Sequence, residues 1–246
     1  MTGAPVLVEH HGDTTTLWLA RADRGNALGP DMVDALDGGI DAALAAGARL
    51  IALRGQGRNF CTGLDLSDLD AIGDGDLALR ILRIELLLQR IHGLPVTTLA
   101  IASGRVFGAG ADLFAVCDHR IALAGASFAF PGPAFGLVLG TARLAGLVGD
   151  TAARQLLLAG QPVEASRALA LGLATAVIDA DATDGAIGAA HAAATRLDAP
   201  TVAALHARTR RADDAGDLAA LARSVARPGL KARVEAYRAK VAAARR

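Results

Sequence analysis

Lysine is nearly absent from this chain of 246 residues: Lys231 and Lys240 are the only two. Whatever meets a phosphate is therefore expected to be mostly arginine or backbone N–H. Aromatic residues make up 3%, with one Trp and one Tyr, so there is no interleaved stacking surface of the kind that holds single-stranded nucleic acid. Cys61 and Cys117 are the only cysteines, too few for a disulfide framework. Residues 1–11 show no charged-then-apolar leader pattern, and a cytoplasmic protein is expected. Net charge is lacking too, with 25 basic against 25 acidic side chains, which leaves no global field to draw the chain onto nucleic acid or an acidic membrane. Only the segment from His206 to Arg246 is lopsided, with eleven basic residues against four acidic, and it reads as solvated amphipathic helix. Charge is missing altogether from Ile121 to Ala142, 22 residues, long enough to span a bilayer. Pro131 and Pro133, with Gly125, Gly132, Gly136 and Gly140, would break a lipid-exposed helix there, so a buried strand and loops are expected and no membrane partner.

What is present is a globular composition, 52% hydrophobic and 20% charged, of a size for one large domain with a small appendage. Val6–Val8 and Thr14–Leu19 read as a hairpin around His11-Gly12-Asp13. Pro30 opens a helix whose apolar residues Met32, Val33, Leu36, Ile40 and Leu44 recur at three- and four-residue spacing until Gly47. Leu50–Leu53 follows as a strand, Leu77–Ile91 as a helix and Thr97–Ala102 as a strand. Gly104–Gly110 reads as a glycine-rich loop and Ala111–Cys117 as a helix. One more strand, loop and helix run from Ile121 to about Gly160, then a helix over Glu164–Leu171 and a strand over Ala174–Ile178. This alternation predicts an α/β protein with mostly parallel pairing. From Ala186 onward the sequence is almost entirely helix-forming.

Several chemistries are excluded by pattern. No Gly-Lys-Ser/Thr occurs, so there is no Walker loop. Gly55-Gln56-Gly57 and Gly108-Ala109-Gly110 lack the third glycine of a dinucleotide fingerprint. Gly125-Ala126-Ser127-Phe128-Ala129 fails as a nucleophile elbow at its fifth position. Histidines and cysteines never reach metal-ligand spacing, so no metal is expected. Two glycine loops entered from apolar strands remain: Phe60-Cys61-Thr62-Gly63-Leu64-Asp65, and Gly104 through Leu113. A helix starting at such a glycine turns unpaired N–H groups outward, where they can receive a developing negative oxygen; two such loops could form a two-donor oxyanion hole. Two ordinary tight turns account for the same local pattern equally well.

Five stretches in register resemble the enoyl-CoA hydratase/isomerase (crotonase) superfamily: Arg24-Gly25-Asn26-Ala27-Leu28, Gly57 through Leu66, Gly108-Ala109-Gly110-Ala111-Asp112-Leu113, Cys117 through Ala122, and Gly172-Leu173-Ala174. The resemblance implies a crotonase-like spiral of repeated β-β-α units over residues 1–190, holding an acyl-CoA site. It also implies a helical oligomerisation region over 191–246, with a homotrimer or hexamer as the assembly. The ligand would be an acyl-CoA thioester, in fatty acid metabolism, with no cofactor beyond the coenzyme A that the substrate carries. Leu64 and Ala109 would then supply the two oxyanion N–H groups and Asp112 the proton-transfer carboxyl. Gly63, Gly108 and Gly132 would line the substrate site, with Ala27 and Thr62 at the adenine and Arg24 at a CoA phosphate.

The second carboxylate of the family's hydratases is missing. It follows a proline, and here Pro131 is followed by Gly132, which cannot transfer a proton. Hydration needs coordinated delivery of proton and hydroxyl, so double-bond isomerisation is expected ahead of it. A hydrolase or decarboxylase and a non-catalytic acyl-CoA-binding partner protein are the alternatives. His92 and Asp70 are candidates to replace the missing carboxylate from elsewhere. Asp65 and Asp118 are expected to fix loops, and Cys61 to be buried packing.

Overall fold

A computed structural model describes residues 3–210 and 213–244 of the chain. The opening hairpin pairs Val6–His11 (β1) with Thr14–Leu19 (β2) antiparallel. Pro30–Ala45 (α1) begins on proline, whose missing N–H would have had no helical partner at that position, and buries Met32, Val33, Leu36 and Ile40 along one face. Leu50–Gly55 (β3) runs parallel to β2, with Leu17 opposite Leu53. Asp74–His92 (α2) buries Leu77, Ile81, Ile84, Leu88 and Ile91, the expected apolar stripe, with one acidic residue, Glu85, among them. Thr97–Ala102 (β4) is buried along its whole length.

Two local expectations need correction. The stretch 104–110 is not all loop, because Arg105–Phe107 forms a strand (β5). Val106 is fully buried and pairs with Cys61 and Phe128; tertiary pairing here overrides the local preference of the flanking glycines. The helix that follows (α3, Ala109–Ala115) therefore starts between the two glycines, two residues earlier than the sequence suggests. After His119–Leu123 (β6) and Ser127–Ala129 (β7), two helices, Thr141–Val148 (α4) and Asp150–Ala159 (α5), stand where one was expected. The break is Gly149, which lies in the left-handed half of backbone space at φ +80°.

Val163–Glu164 (β8), Ala165–Ala170 (α6) and Ala176–Ile178 (β9) close the core, and the rest is helical: Thr183–Thr195 (α7), Ala199–Thr209 (α8), Asp214–Val225 (α9) and Leu230–Ala243 (α10). The charge-free stretch 121–142 resolves into part of β6, all of β7, a short 3-10 turn, loops and the first two residues of α4, where strand and loops were expected. Among the described residues no helix is long and apolar enough to cross a membrane.

Six strands form one sheet in the order β1-β2-β3-β4-β6-β9, parallel except for the first pair, and β5-β7-β8 form a second, smaller sheet. The chain moves to and fro between them: β4 lies in the large sheet, β5 in the small one and α3 follows; β6 lies in the large sheet, β7 in the small one and α4 follows. This is the crotonase spiral. Its effect is to set the segment after β3 beside the segment after β4, with Cys61 bridged to Val106 in parallel.

Asn26 locks the loop in front of this pair. It is fully buried and has a positive φ of 55°, a conformation asparagine tolerates better than most residues. Its Oδ1 accepts from Arg21 N–H at 2.9 Å, and its Nδ2 donates to the carbonyls of Gln56 and Asn59 at 3.0 and 2.8 Å. Asn26→Ala would strand those three backbone groups, and we expect a loss of about 2–4 kcal/mol of stability in denaturant unfolding. A loss below about 0.5 kcal/mol, within the range of an ordinary surface substitution, would show that the loop does not depend on this clamp.

Candidate active site

The segment from Phe60 to Asp65 is held on both flanks by its own backbone. On one side Thr62 N–H donates to Gly25 O (3.0 Å), Leu28 N–H to Gly63 O (2.7 Å) and Asp65 N–H to Leu28 O (3.1 Å). On the other, Phe60 N–H donates to Ser103 O (2.8 Å) and Phe107 N–H to Cys61 O (3.0 Å). Leu64 lies between these bonds, and among the described residues its N–H has no acceptor. Ala109 is the first residue of α3, where a helix has no internal partner for an N–H, and its N–H is likewise unspent. Gly63 lets the two segments approach: its φ is +97°, and a Cβ there would lie 2.7 Å from Phe107 O and 3.5 Å from Ala109 N.

Leu64 and Ala109 both line a cavity of about 220 Å³. Thr62, Gly63, Leu64, Gly108, Ala109, Asp112 and Gly132, seven of the nine residues expected from the sequence, lie in its wall. The other two do not. Ala27 packs behind this segment, half-buried, and its carbonyl accepts from Gly29 N–H. The half-exposed Arg24 guanidinium sits 3.7 Å from Asp65 and 3.3 Å from Ser67 Oγ. The proposed stand-ins for a second carboxylate are absent from the wall. Asp70 is exposed, and His92 ends α2 with Nδ1 3.4 Å from Arg210 Nε. Asp65 and Asp118 do fix loops, accepting from Ser67 N–H and from Thr98 N–H and Oγ1, respectively. Cys61 is fully buried, and burial pushes its thiol up to about 12, far from a thiolate.

The rest of the wall is apolar: Ile81 and Ile84 from α2, Leu137 and Leu139 from the loop before α4, Phe130 and Phe135, and Tyr237 and Val241 from α10. The α10 residues were missed in a segment that reads as solvated helix; the one available signal was the chain's single tyrosine, whose ring lies 5.1 Å from that of Phe135. Asp74 caps the start of α10, accepting from Leu230 and Lys231 N–H, and the Lys231 ammonium donates to the carbonyls of Asp70 and Ile72.

Asp112 is the only carboxyl in this wall among the described residues. It is 5% exposed, its carboxyl makes no hydrogen bond among the described residues, and burial pushes its pKa up to about 8, Arg143 pulling down and Glu85 pushing further up. Its position depends on Gly140 (φ +63°), because any Cβ at that residue would overlap the Asp112 carboxyl. Behind it lies an ionic cluster that the sequence reading did not find. Arg143 on α4 pairs with both oxygens of Glu85 at 2.5 and 2.9 Å and with Asp217 of α9 at 3.2 Å, while Gln89 donates to Glu85. Among the described residues no group of His, Cys, Asp and Glu is arranged to hold a metal.

Two sheets joined by a spiral, and amides freed at the paired glycine segments, define a crotonase-fold protein. The chain belongs to the enoyl-CoA hydratase/isomerase family, whose model matches residues 14–218. It is 36% identical over 165 residues to the probable enoyl-CoA hydratase echA6 of Mycobacterium tuberculosis, covering 66% of each chain. It is 33% identical over 142 residues to the ethylmalonyl-CoA decarboxylase of Gallus gallus, covering 56% of this chain and 48% of that one. The matched region thus spans just under two thirds of the first relative's length and about half of the second's. Among solved structures, an enoyl-CoA hydratase/isomerase family protein from Bordetella parapertussis superposes with a TM-score of 0.93 at 43% identity, over 96% of this chain and 98% of that one. A second from Xanthobacter autotrophicus gives 0.83 at 26% identity, over 97% and 99%.

A carboxyl buried this way costs stability whenever it is ionised. Its folded pKa of about 8 lies above the unfolded value near 4. Between those values the folded chain holds a proton that the unfolded chain has released, so stability falls as pH rises through the window and levels above it. Asp112→Asn removes that dependence. We expect the variant to gain on the wild type between pH 4 and pH 8, by roughly 2–5 kcal/mol across the window, measured by denaturant unfolding at both ends. A constant difference between variant and wild type would mean that Asp112 ionises normally.

Proposed function

We propose that the protein is an acyl-CoA enzyme of the hydratase/isomerase type that forms a thioester enolate, and that its reaction is double-bond isomerisation. The observation that carries this reading is a lone carboxyl, Asp112, in an apolar cavity lined by Leu64 and Ala109, whose N–H groups have no acceptor among the described residues. In this reading the thioester oxygen accepts from Leu64 and Ala109 N–H. The Asp112 carboxylate takes a proton from the α-carbon of a β,γ-enoyl thioester, and the electron pair moves onto the oxygen, where each donor contributes about 3 kcal/mol. The same carboxyl returns the proton to the γ-carbon, the negative charge leaves the oxygen, and the double bond ends in conjugation with the carbonyl. One group suffices because the proton leaves and rejoins on the same side. Gly132 offers nothing to activate water, which sets hydration second. The apolar wall takes the acyl chain, and the Arg24, Ala27 and Thr62 side takes the nucleotide portion of coenzyme A. Residues 191–246 support a trimer or hexamer, as the family resemblance implies.

A second reading, decarboxylation of a malonyl-type thioester, is favoured by the proton that Asp112 holds at neutral pH and by the similarity to the decarboxylase. There the loss of carbon dioxide leaves the enolate, and protonated Asp112 supplies the α-proton, which solvent then restores.

The pH dependence separates the two. Isomerisation needs the carboxylate, so kcat/KM rises with pH and levels above about 8; decarboxylation needs the acid, so it falls there. The test is turnover of β,γ-enoyl-, α,β-enoyl- and malonyl-type CoA thioesters by the wild type and Asp112→Asn. We expect a loss of 10²-fold or more in the variant, about the contribution of a positioned acid–base group. Tight acyl-CoA binding with no turnover by the wild type would overturn the enzyme reading in favour of a non-catalytic binding protein.

A further inference from the structure

Arg143 is the cation whose charge acts on Asp112, and it is not paired with it. It is 6% exposed, its terminal nitrogens are spent on Glu85 and Asp217, and its buried Nε has no acceptor among the described residues. Burial opposes its charge, but the hydrogen bonds and charge of Glu85 hold its pKa above the ordinary arginine value, so it is permanently cationic. A buried guanidinium beside a buried carboxyl ordinarily draws that carboxyl into a fixed ion pair.

We infer that the Glu85–Arg143–Asp217 cluster is a positioning network for Asp112: its two carboxylates occupy the guanidinium, so Asp112 is left unpaired in the cavity wall and free to exchange a proton. The network acts through Asp112 and touches no substrate. Its use in catalysis rests on the function proposed above, but its effect on Asp112 can be read without any turnover.

The neighbouring elements leave few other candidates. From α2 only Glu85 acts on Asp112, and from α4 only Arg143. β4 carries no titratable side chain, and Arg105 of β5 is exposed. Asp217 of α9 reaches the site through Arg143. The arrangement makes opposite predictions for its members. Removing the charge of Glu85 or Asp217 returns Arg143 to Asp112 and favours the carboxylate; removing Arg143 favours the acid.

The test is a titration of Asp112 by 13C NMR on full-length protein carrying 13Cγ-aspartate, with the signal assigned by Asp112→Asn. Glu85→Gln and Asp217→Asn are expected to lower the midpoint, the first by about one pH unit or more, and Arg143→Met to raise it. A cluster that does not act on Asp112 predicts no shift in any of the three variants. Asp217 lies nearer the surface, so Asp217→Asn decides the matter if Glu85→Gln does not fold. A midpoint unmoved in a folded variant, or moved the same way in all three, overturns the network. Unchanged turnover in Asp112→Asn would instead remove the catalytic reading and leave this titration standing.

Discussion

The site depends on how the backbone hydrogen bonds of residues 60–65 are divided. Bonds to 25–28 on one flank and to 103–107 on the other fix the segment in place, while Leu64 N–H is left over. An unpaired N–H out of water is costly, and so is the unpaired first N–H of α3. Among the described residues both amides are left open at neighbouring points. Gly63 permits that proximity and Asn26 holds the flanking loop that enforces it.

The second constraint is electrostatic. An apolar cavity strengthens any charge interaction inside it, so a carboxyl there must be paired, hydrogen-bonded or protonated. Asp112 is in the third condition. The cation that acts on it, Arg143, is occupied by two other carboxylates, and Gly140 leaves room for the Asp112 carboxyl where any side chain would overlap it. Proton affinity at the wall is thus set first by burial and then adjusted by two groups that do not reach the cavity.

Much of the fold was legible because its elements announce themselves locally. The apolar run Thr97–Ala102 became β4 with the same boundaries, and the helical spacing after Pro30 became α1. The β5 strand was hidden because three residues among glycines carry no periodicity, and its pairing partners lie far along the chain. Of the site, the glycine segments and Asp112 could be placed from motifs, whereas Glu85 and Arg143, 58 residues apart, could not. A hint existed: Glu85 falls four residues after Ile81 and three before Leu88, on the face that α2 buries. A lone acid on such a face asks for a buried base, but nothing in one sequence says which arginine answers.

The cavity borrows a wall from α10, through Tyr237 and Val241, and that helix is fastened by Asp74 and Lys231. During synthesis the two amides can be assembled long before this wall exists. A chain halted on the ribosome short of residue 230 would lack that side of the cavity. The enclosure of the cavity therefore waits on the translation of α10.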